Sequence, residues 1–224
     1  MKIPAKFAMS VRTLVVVHCL FFTCLSMAAT VDVHISNESG DALGLQQTTI
    51  ALTPKDRSAS SPVNSIPLPV EQINTQFRPF ITTAQRGADI VFPNRDKTAH
   101  HVYSFSAAAQ FQSKLYSKPQ SHTIRVDKAG VITIGCNIHD WMLSYVYVVD
   151  TPHFGYPSSE KIRFEDVSGG SYELSYWHPS MRAPIGKTLE VVEGGVTNAK
   201  LLVDVKVVKQ PEVPSKVFQE EAEY

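Results

Sequence analysis

Cysteine is nearly absent from this chain of 224 residues: there are three, and two of them, Cys19 and Cys24, lie close to the N-terminus. Paired short Cys motifs are missing, which excludes the usual structural zinc sites. Charge of one sign is missing too. With 21 basic and 21 acidic residues, and no stripe of Lys and Arg to follow a phosphate backbone, nucleic acid is not a partner the chain is built for. The sequence also lacks a glycine loop suited to phosphate, a Ser-His-Asp order that stands out, and any clear amphipathic helix. Those gaps argue against the common hydrolase and nucleotide-binding chemistries and leave strand patterns to carry the fold.

The N-terminus is read as a targeting segment rather than as structure. Lys2, Lys6 and Arg12 precede an apolar stretch, Thr13 to Met27, and Ser26-Met27-Ala28 supplies the small-x-small cleavage pattern. A signal peptide over 1–28 and export to the periplasm follow. A retained N-terminal anchor is the alternative, and membrane contact is expected only through such an uncleaved signal. Phe21-Phe22-Thr23 before Cys24 lacks the small residues that lipoprotein processing prefers. Removal of the signal takes three basic residues, leaving 18 against 21 acidic. It also takes two of the cysteines, so Cys136 stands alone in the exported chain. No internal disulfide is then possible, and a single thiol kept in an oxidising compartment calls for a reason such as metal ligation.

The rest of the chain reads as strands. Val31 to Ile35 alternates apolar and polar residues before the turn at Asn37 to Asp41, and Thr48 to Thr53 follows. A Ser- and Pro-rich stretch, about 54–69, is expected to be an exposed connection. Further strands are predicted over Gly87 to Phe92, His100 to Ser106, Gly130 to Cys136 and Leu143 to Val149, with a short helix possible over Ser106 to Leu115. After Asp150 come short strands at Lys161 to Phe164, Tyr172 to Tyr176, Lys187 to Val192 and Ala199 to Val208. The tail from 209 to 224, with Pro211, Pro214 and Glu220-Glu221, is expected to be disordered.

The most informative segment is Gly135-Cys136-Asn137-Ile138-His139-Asp140-Trp141-Met142. It offers a thiol, an imidazole and a thioether at Cys-x2-His-x2-Met spacing. That is a soft donor set, suited to a copper centre once a second histidine joins it. Alternation along Gly130 to Cys136 places Ile132, Ile134 and Cys136 on one face, so the thiol points inward. The second imidazole comes from His100 or His101, which a strand aims in opposite directions, and pattern alone leaves the choice open. A Cys136–His139 nucleophile–base pair is the rival chemistry, disfavoured by Met142 and by the inward strand position.

These residues carry a resemblance. Gly87-x-x-Ile90-x-Phe92-x-Asn94, His100-x-Val102 and Gly130 to Met142 resemble the order and spacing of the cupredoxins, blue copper proteins, with an amicyanin-like loop. Gln72-x-Asn74-x-x-Phe77-x-Pro79, Phe92-Pro93-Asn94 and His100 to Ser106 resemble periplasmic cupredoxin-domain proteins of the methylamine utilisation type. The resemblance covers roughly Val31 to Tyr156 and implies an all-β, cupredoxin-like Greek-key β-sandwich over 29–150. It also implies one mononuclear copper site cycling between Cu+ and Cu2+, held by His100, Cys136, His139 and, axially, Met142. His101 stands where the family commonly has Asn, and Ile138 replaces a common Pro, which frees a backbone N–H for the thiolate.

Residues 151–208 read as a small second β-module, whose Gly169-Gly170-x-Tyr172-x-Leu174-x-x-Trp177-His178-Pro179 resembles transthyretin-like or carboxypeptidase regulatory-like modules. His178 has no Cys, Met or carboxylate pair near it in sequence and is read as structural. The function implied is single-electron transfer between periplasmic redox partners that dock near His139, without catalysis. A copper-delivery protein without redox traffic and an interaction module with a structural metal are the alternatives. The presence of only five methionines counts against the first.

Overall fold

A computed structural model describes residues 27–56 and 66–215. Residues 1–26, which hold most of the expected signal peptide, the centre of the Ser/Pro-rich connection and residues 216–224 lie outside the described residues. No helix among those described is long and apolar enough to cross a membrane.

The chain is all-β, in two pairs of packed sheets. One pair joins a five-stranded sheet, ordered Ile81–Gln85, His139–Val149, Gly130–Cys136, Val102–Ser106, Ala109–Gln112, to a three-stranded one, ordered Ser121–Arg125, Asp89–Pro93, Leu68–Pro69. Their inward residues, among them Ile90, Phe92, Val102, Ile132, Ile134 and Val146, form one core. Period-two alternation explains why: Gly130–Cys136 buries every second side chain from Ile132 to Cys136, and Asp89–Pro93 buries Ile90 and Phe92. The short hairpin Glu71–Ile73 with Gln76–Arg78 closes one end, and its Phe77 is fully buried.

The second pair is not made of the C-terminal strands alone. Ala29–Asn37 lies at the centre of a three-stranded sheet, antiparallel to Lys161–Val167 and parallel to Val196–Val203. Thr49–Pro54 sits between Phe154–Gly155 and Gly170–Trp177 in a four-stranded sheet that ends with Ile185–Val191. The expected boundary at residue 150 is therefore corrected: residues 29–54 belong with the C-terminal module and complete its core. Local pattern identifies a strand but not its neighbour, and here the partners lie far along the chain. The possible helix over Ser106 to Leu115 is also corrected. Ala109–Gln112 is an edge strand on Val102–Ser106. The helix Ala42–Gln46 is a single turn whose N-cap Asp41 accepts hydrogen bonds from the Leu43 and Gly44 N–H groups.

The two sheet pairs meet through a small apolar cluster of Ala51, Tyr147, Val149 and Trp177. The Trp177 ring is fully buried against Tyr147 and Tyr145, with centroids 5.3 and 5.7 Å away. A Thr49–Thr83 hydroxyl pair at 2.7 Å spans the same seam. In the tail expected to be disordered, Gln210 donates to the backbone carbonyls of Phe77 and Leu143, and Pro211 O accepts from Gln76 Nε2.

Candidate metal centre

Three sequence-selected residues converge. The strand Gly130–Cys136 carries Cys136 inward at its last position. The pairing with His139–Val149 then slips by a bulge, so that Cys136 faces His139 across a two-residue turn. Cys-x2-His spacing thus becomes a side-by-side pair on adjoining strands. His100 comes from the neighbouring segment, fixed by a reciprocal backbone bridge to Tyr116, with both N–H···O distances 3.0 Å. The strand predicted from His100 begins at Val102.

Gly135 has a steric role beside the thiol. A Cβ there would lie 2.9 Å from the Tyr103 ring, so glycine lets that ring lie against the strand next to Cys136.

The donor atoms form a triangle. His100 Nδ1 lies 3.1 Å from His139 Nδ1, and Cys136 Sγ lies 3.7 and 3.6 Å from those two nitrogens. A point equidistant from the three corners lies about 2 Å from each, the length of a first-row metal–imidazole bond and a little short of a metal–thiolate one. The set therefore fits one metal ion. His100 is 0% and Cys136 3% exposed, whereas His139 is half-buried at the rim.

The adjacent histidines differ in burial: His100 turns inward, and His101 is half-exposed. His101 contributes through its backbone. Its carbonyl accepts from Asn137 N–H at 3.0 Å, and its N–H donates to the Cys136 sulfur. The Ile138 N–H donates to the same sulfur. Met142 is 2% exposed and packs in the same core cluster as Cys136.

The electrostatics favour charge on Cys136 and His100 and oppose it on His139. Burial pushes the Cys136 thiol up, but the hydrogen bonds from His100, His101 and Ile138, with the His100 charge, outweigh it and hold the thiol below its ordinary range. Burial likewise opposes a charged His100, yet the hydrogen bonds with Asp96 and Cys136 and their negative charge raise its pKa. His139 is lowered, by burial first and then by the His100 charge.

Sequence reasoning missed Asp96. Its carboxylate, nearly buried, lies 2.9 Å from His100 Nε2, and it accepts from the Asn74 and Thr75 N–H groups at 2.6 and 3.0 Å. Asn74 and Thr75 both have positive φ, 52° and 53°, a tight hairpin geometry that is unusual for β-branched Thr. Thr75 O in turn accepts from Trp141 Nε1 at 2.9 Å, and the Trp141 ring sits 5.2 Å from that of His139. Trp141 is thus a tethered wall of the site. Ile138, 48% exposed, marks its apolar outer edge. The four-residue interval from Asp96 to His100 was the available signal.

His178 is fully buried in the other sheet pair, hydrogen-bonded to Ser180 through Nδ1 at 2.8 Å. It takes no part in the trio.

No protein-family model matches the chain, and no curated protein does. Among solved structures it is similar to the copper-containing nitrite reductase (NirK) from Thermus scotoductus SA-01, at 18% identity over 40% of this chain and 24% of that one, with a TM-score of 0.37. It is also similar to the reduced form of an amicyanin variant, at 18% identity over 46% of this chain and 99% of that one, with a TM-score of 0.35. A purple cupredoxin from Nitrosopumilus maritimus matches at 17% identity over 38% of this chain and 100% of that one, with a TM-score of 0.33. The chain spans about a quarter of the nitrite reductase's length.

Proposed function

We propose that the chain is a periplasmic copper protein of the blue, type 1 kind, carrying single electrons between redox partners. The observation that carries this reading is the triangle of two Nδ1 atoms and one Sγ, sized for one ion and sunk in a β-sandwich core. Copper bound there supplies a one-electron couple between Cu+ and Cu2+. The protein's part is to keep the donors still. His100 is held by Asp96 and the Tyr116 bridge, Cys136 by the end of a paired strand and two N–H donors, and Met142, which would add a weak thioether donor, by core packing. Donors that cannot rearrange suit both oxidation states and keep the cost of electron transfer low. Half-buried His139, with exposed Ile138 and tethered Trp141 beside it, is the edge where a redox partner docks.

Burial favours a carrier over a delivery protein, because a cargo site must open and His100 and Cys136 are closed to solvent. The test is titration of the metal-free protein with Cu(II), followed by optical and electron paramagnetic resonance spectroscopy. One equivalent should produce an intense visible sulfur-to-copper band and a small parallel hyperfine splitting. A colourless protein supports an interaction module instead.

Ile138 provides a finer prediction. Proline there removes one N–H donor from the sulfur, making it more electron-rich and favouring Cu2+. A charge-assisted bond that differs between the redox states by about 1 kcal/mol corresponds to roughly 40 mV. Ile138→Pro is therefore expected to lower the midpoint potential by tens of millivolts in protein-film voltammetry. Unchanged potential and absorption would discard the role of this N–H.

A further inference from the structure

Beyond Val196–Val203 the chain runs as a strap across both sheet pairs. Its first half is pinned to the segment around the short helix. Val205 N–H donates to Asn37 Oδ1 at 3.0 Å, Val207 N–H to Asp41 Oδ2 at 2.9 Å, and Val208 N–H to Gln47 Oε1 at 2.7 Å. The strap then crosses to the sheet pair that holds the metal centre. There Gln210 Nε2 donates to both Phe77 O and Leu143 O at 2.9 Å, and Pro211 O accepts from Gln76 Nε2 at 3.1 Å.

The two carbonyls bridged by Gln210 belong to segments that make no ladder with each other at this level. Leu143 faces Gly135 on one side. On its other side Ile81–Gln85 begins to pair only at Tyr145. Phe77 lies in the separate hairpin with Glu71–Ile73. A carboxamide carries two N–H donors on one nitrogen, which is what two converging carbonyls require. No apolar or acidic side chain of similar length supplies them.

The position of the bridge gives it meaning. Leu143 follows Met142, and Phe77 lies two residues beyond Thr75, whose carbonyl holds Trp141 beside His139. We infer that Gln210 is a positioning residue of the metal centre, a clamp by which the C-terminal strap fixes the backbone at Leu143 and so the reach of the Met142 thioether. Its spectroscopic consequence rests on the copper reading above; the clamp itself does not. A weak, long axial donor is the ligand most sensitive to small backbone displacements, because its bond contributes little to hold itself in place.

The experiment compares wild type with Gln210→Ala and Gln210→Met in the full chain. The Met variant keeps length and packing while removing both donors, so a folded protein is available even if the Ala variant is not. In the metal-free state, amide hydrogen exchange read by mass spectrometry should quicken about tenfold in peptides spanning 76–80 and 142–145. Peptides from 29–37 should be unchanged. In the copper-loaded state the variants should still bind one equivalent but show an altered intensity ratio of the visible bands and a shifted midpoint potential. Exchange identical to wild type overturns the clamp. Faster exchange with unaltered spectrum and potential overturns the positioning role, leaving a structural strap. If wild type takes up no copper, the proposed function fails, and the exchange comparison alone still decides the clamp.

Discussion

Cys136→Ser is expected to abolish the intense visible band of the copper-loaded protein while leaving the fold intact. The band requires a filled sulfur orbital next to the copper, and an alkoxide at this position is out of reach near neutral pH. The exchange of sulfur for oxygen is nearly isosteric, so the core around Ile132, Ile134 and Met142 loses little contact. A buried hydroxyl is costly when unpaired. Here it inherits the N–H donors of His101 and Ile138 that serve the sulfur. Copper retained by the variant would be held by His100 and His139 alone, giving a pale complex with the wide hyperfine splitting of a nitrogen- and oxygen-ligated site. Absorption and paramagnetic resonance on equally loaded samples, with circular dichroism as the control for folding, decide the matter. A band that persists in the folded variant removes Cys136 from the ligand set and sinks the carrier reading.

The same residue marks how far sequence reading reaches. Strand type, inward thiol and Cys-x2-His spacing are local properties, and alternation over Gly130 to Cys136 was enough to aim Sγ at the core, as the structure has it. What pattern could not supply was pairing. Ala29–Asn37 reads equally well as a strand of either sandwich, and only its partners, Lys161–Val167 and Val196–Val203, place it in the second. The choice between His100 and His101 was likewise not local. It depends on Asp96 and on the bridge to Tyr116, a residue that no motif singled out. Gln210 was hidden for a different reason: a lone Gln among prolines and charges has the composition of a disordered tail, and its order comes from carbonyls more than 60 residues away in sequence.

Asp96→Ala should weaken both the metal-free fold and the metal site, for one geometric reason. The Asp96 carboxylate serves three donors at once: His100 Nε2 and the N–H groups of Asn74 and Thr75. Removing it strands a buried imidazole and frees a turn whose positive φ values need support. Breaking one partner out of a buried charged pair costs about 3–5 kcal/mol, far above the few tenths expected of an exposed ion pair such as Arg125 with Asp127. For metal affinity, loss of a carboxylate that orients a ligating histidine corresponds to about 10–100-fold. Asp96→Asn keeps one acceptor for His100 and should fall between wild type and Asp96→Ala. The pH dependence of the metal-free protein separates this pair from generic packing. Asp96 is lowered from its ordinary 3.8: burial opposes the charge, but the hydrogen bonds from His100, Thr75 and Asn74 prevail. Its contribution is therefore present above that value and fades as pH falls through the lower folded one. His100 is raised above its ordinary 6.5, so its contribution is present below 6.5 and fades as pH rises through the higher folded value. The gap in urea midpoint between wild type and Asp96→Ala should accordingly be widest between pH 3.8 and 6.5 and narrow on either side. A gap that stays constant with pH, together with unchanged copper affinity in a chelator competition, would show that Asp96 only supports the turn and that His100 is oriented by the Tyr116 bridge alone.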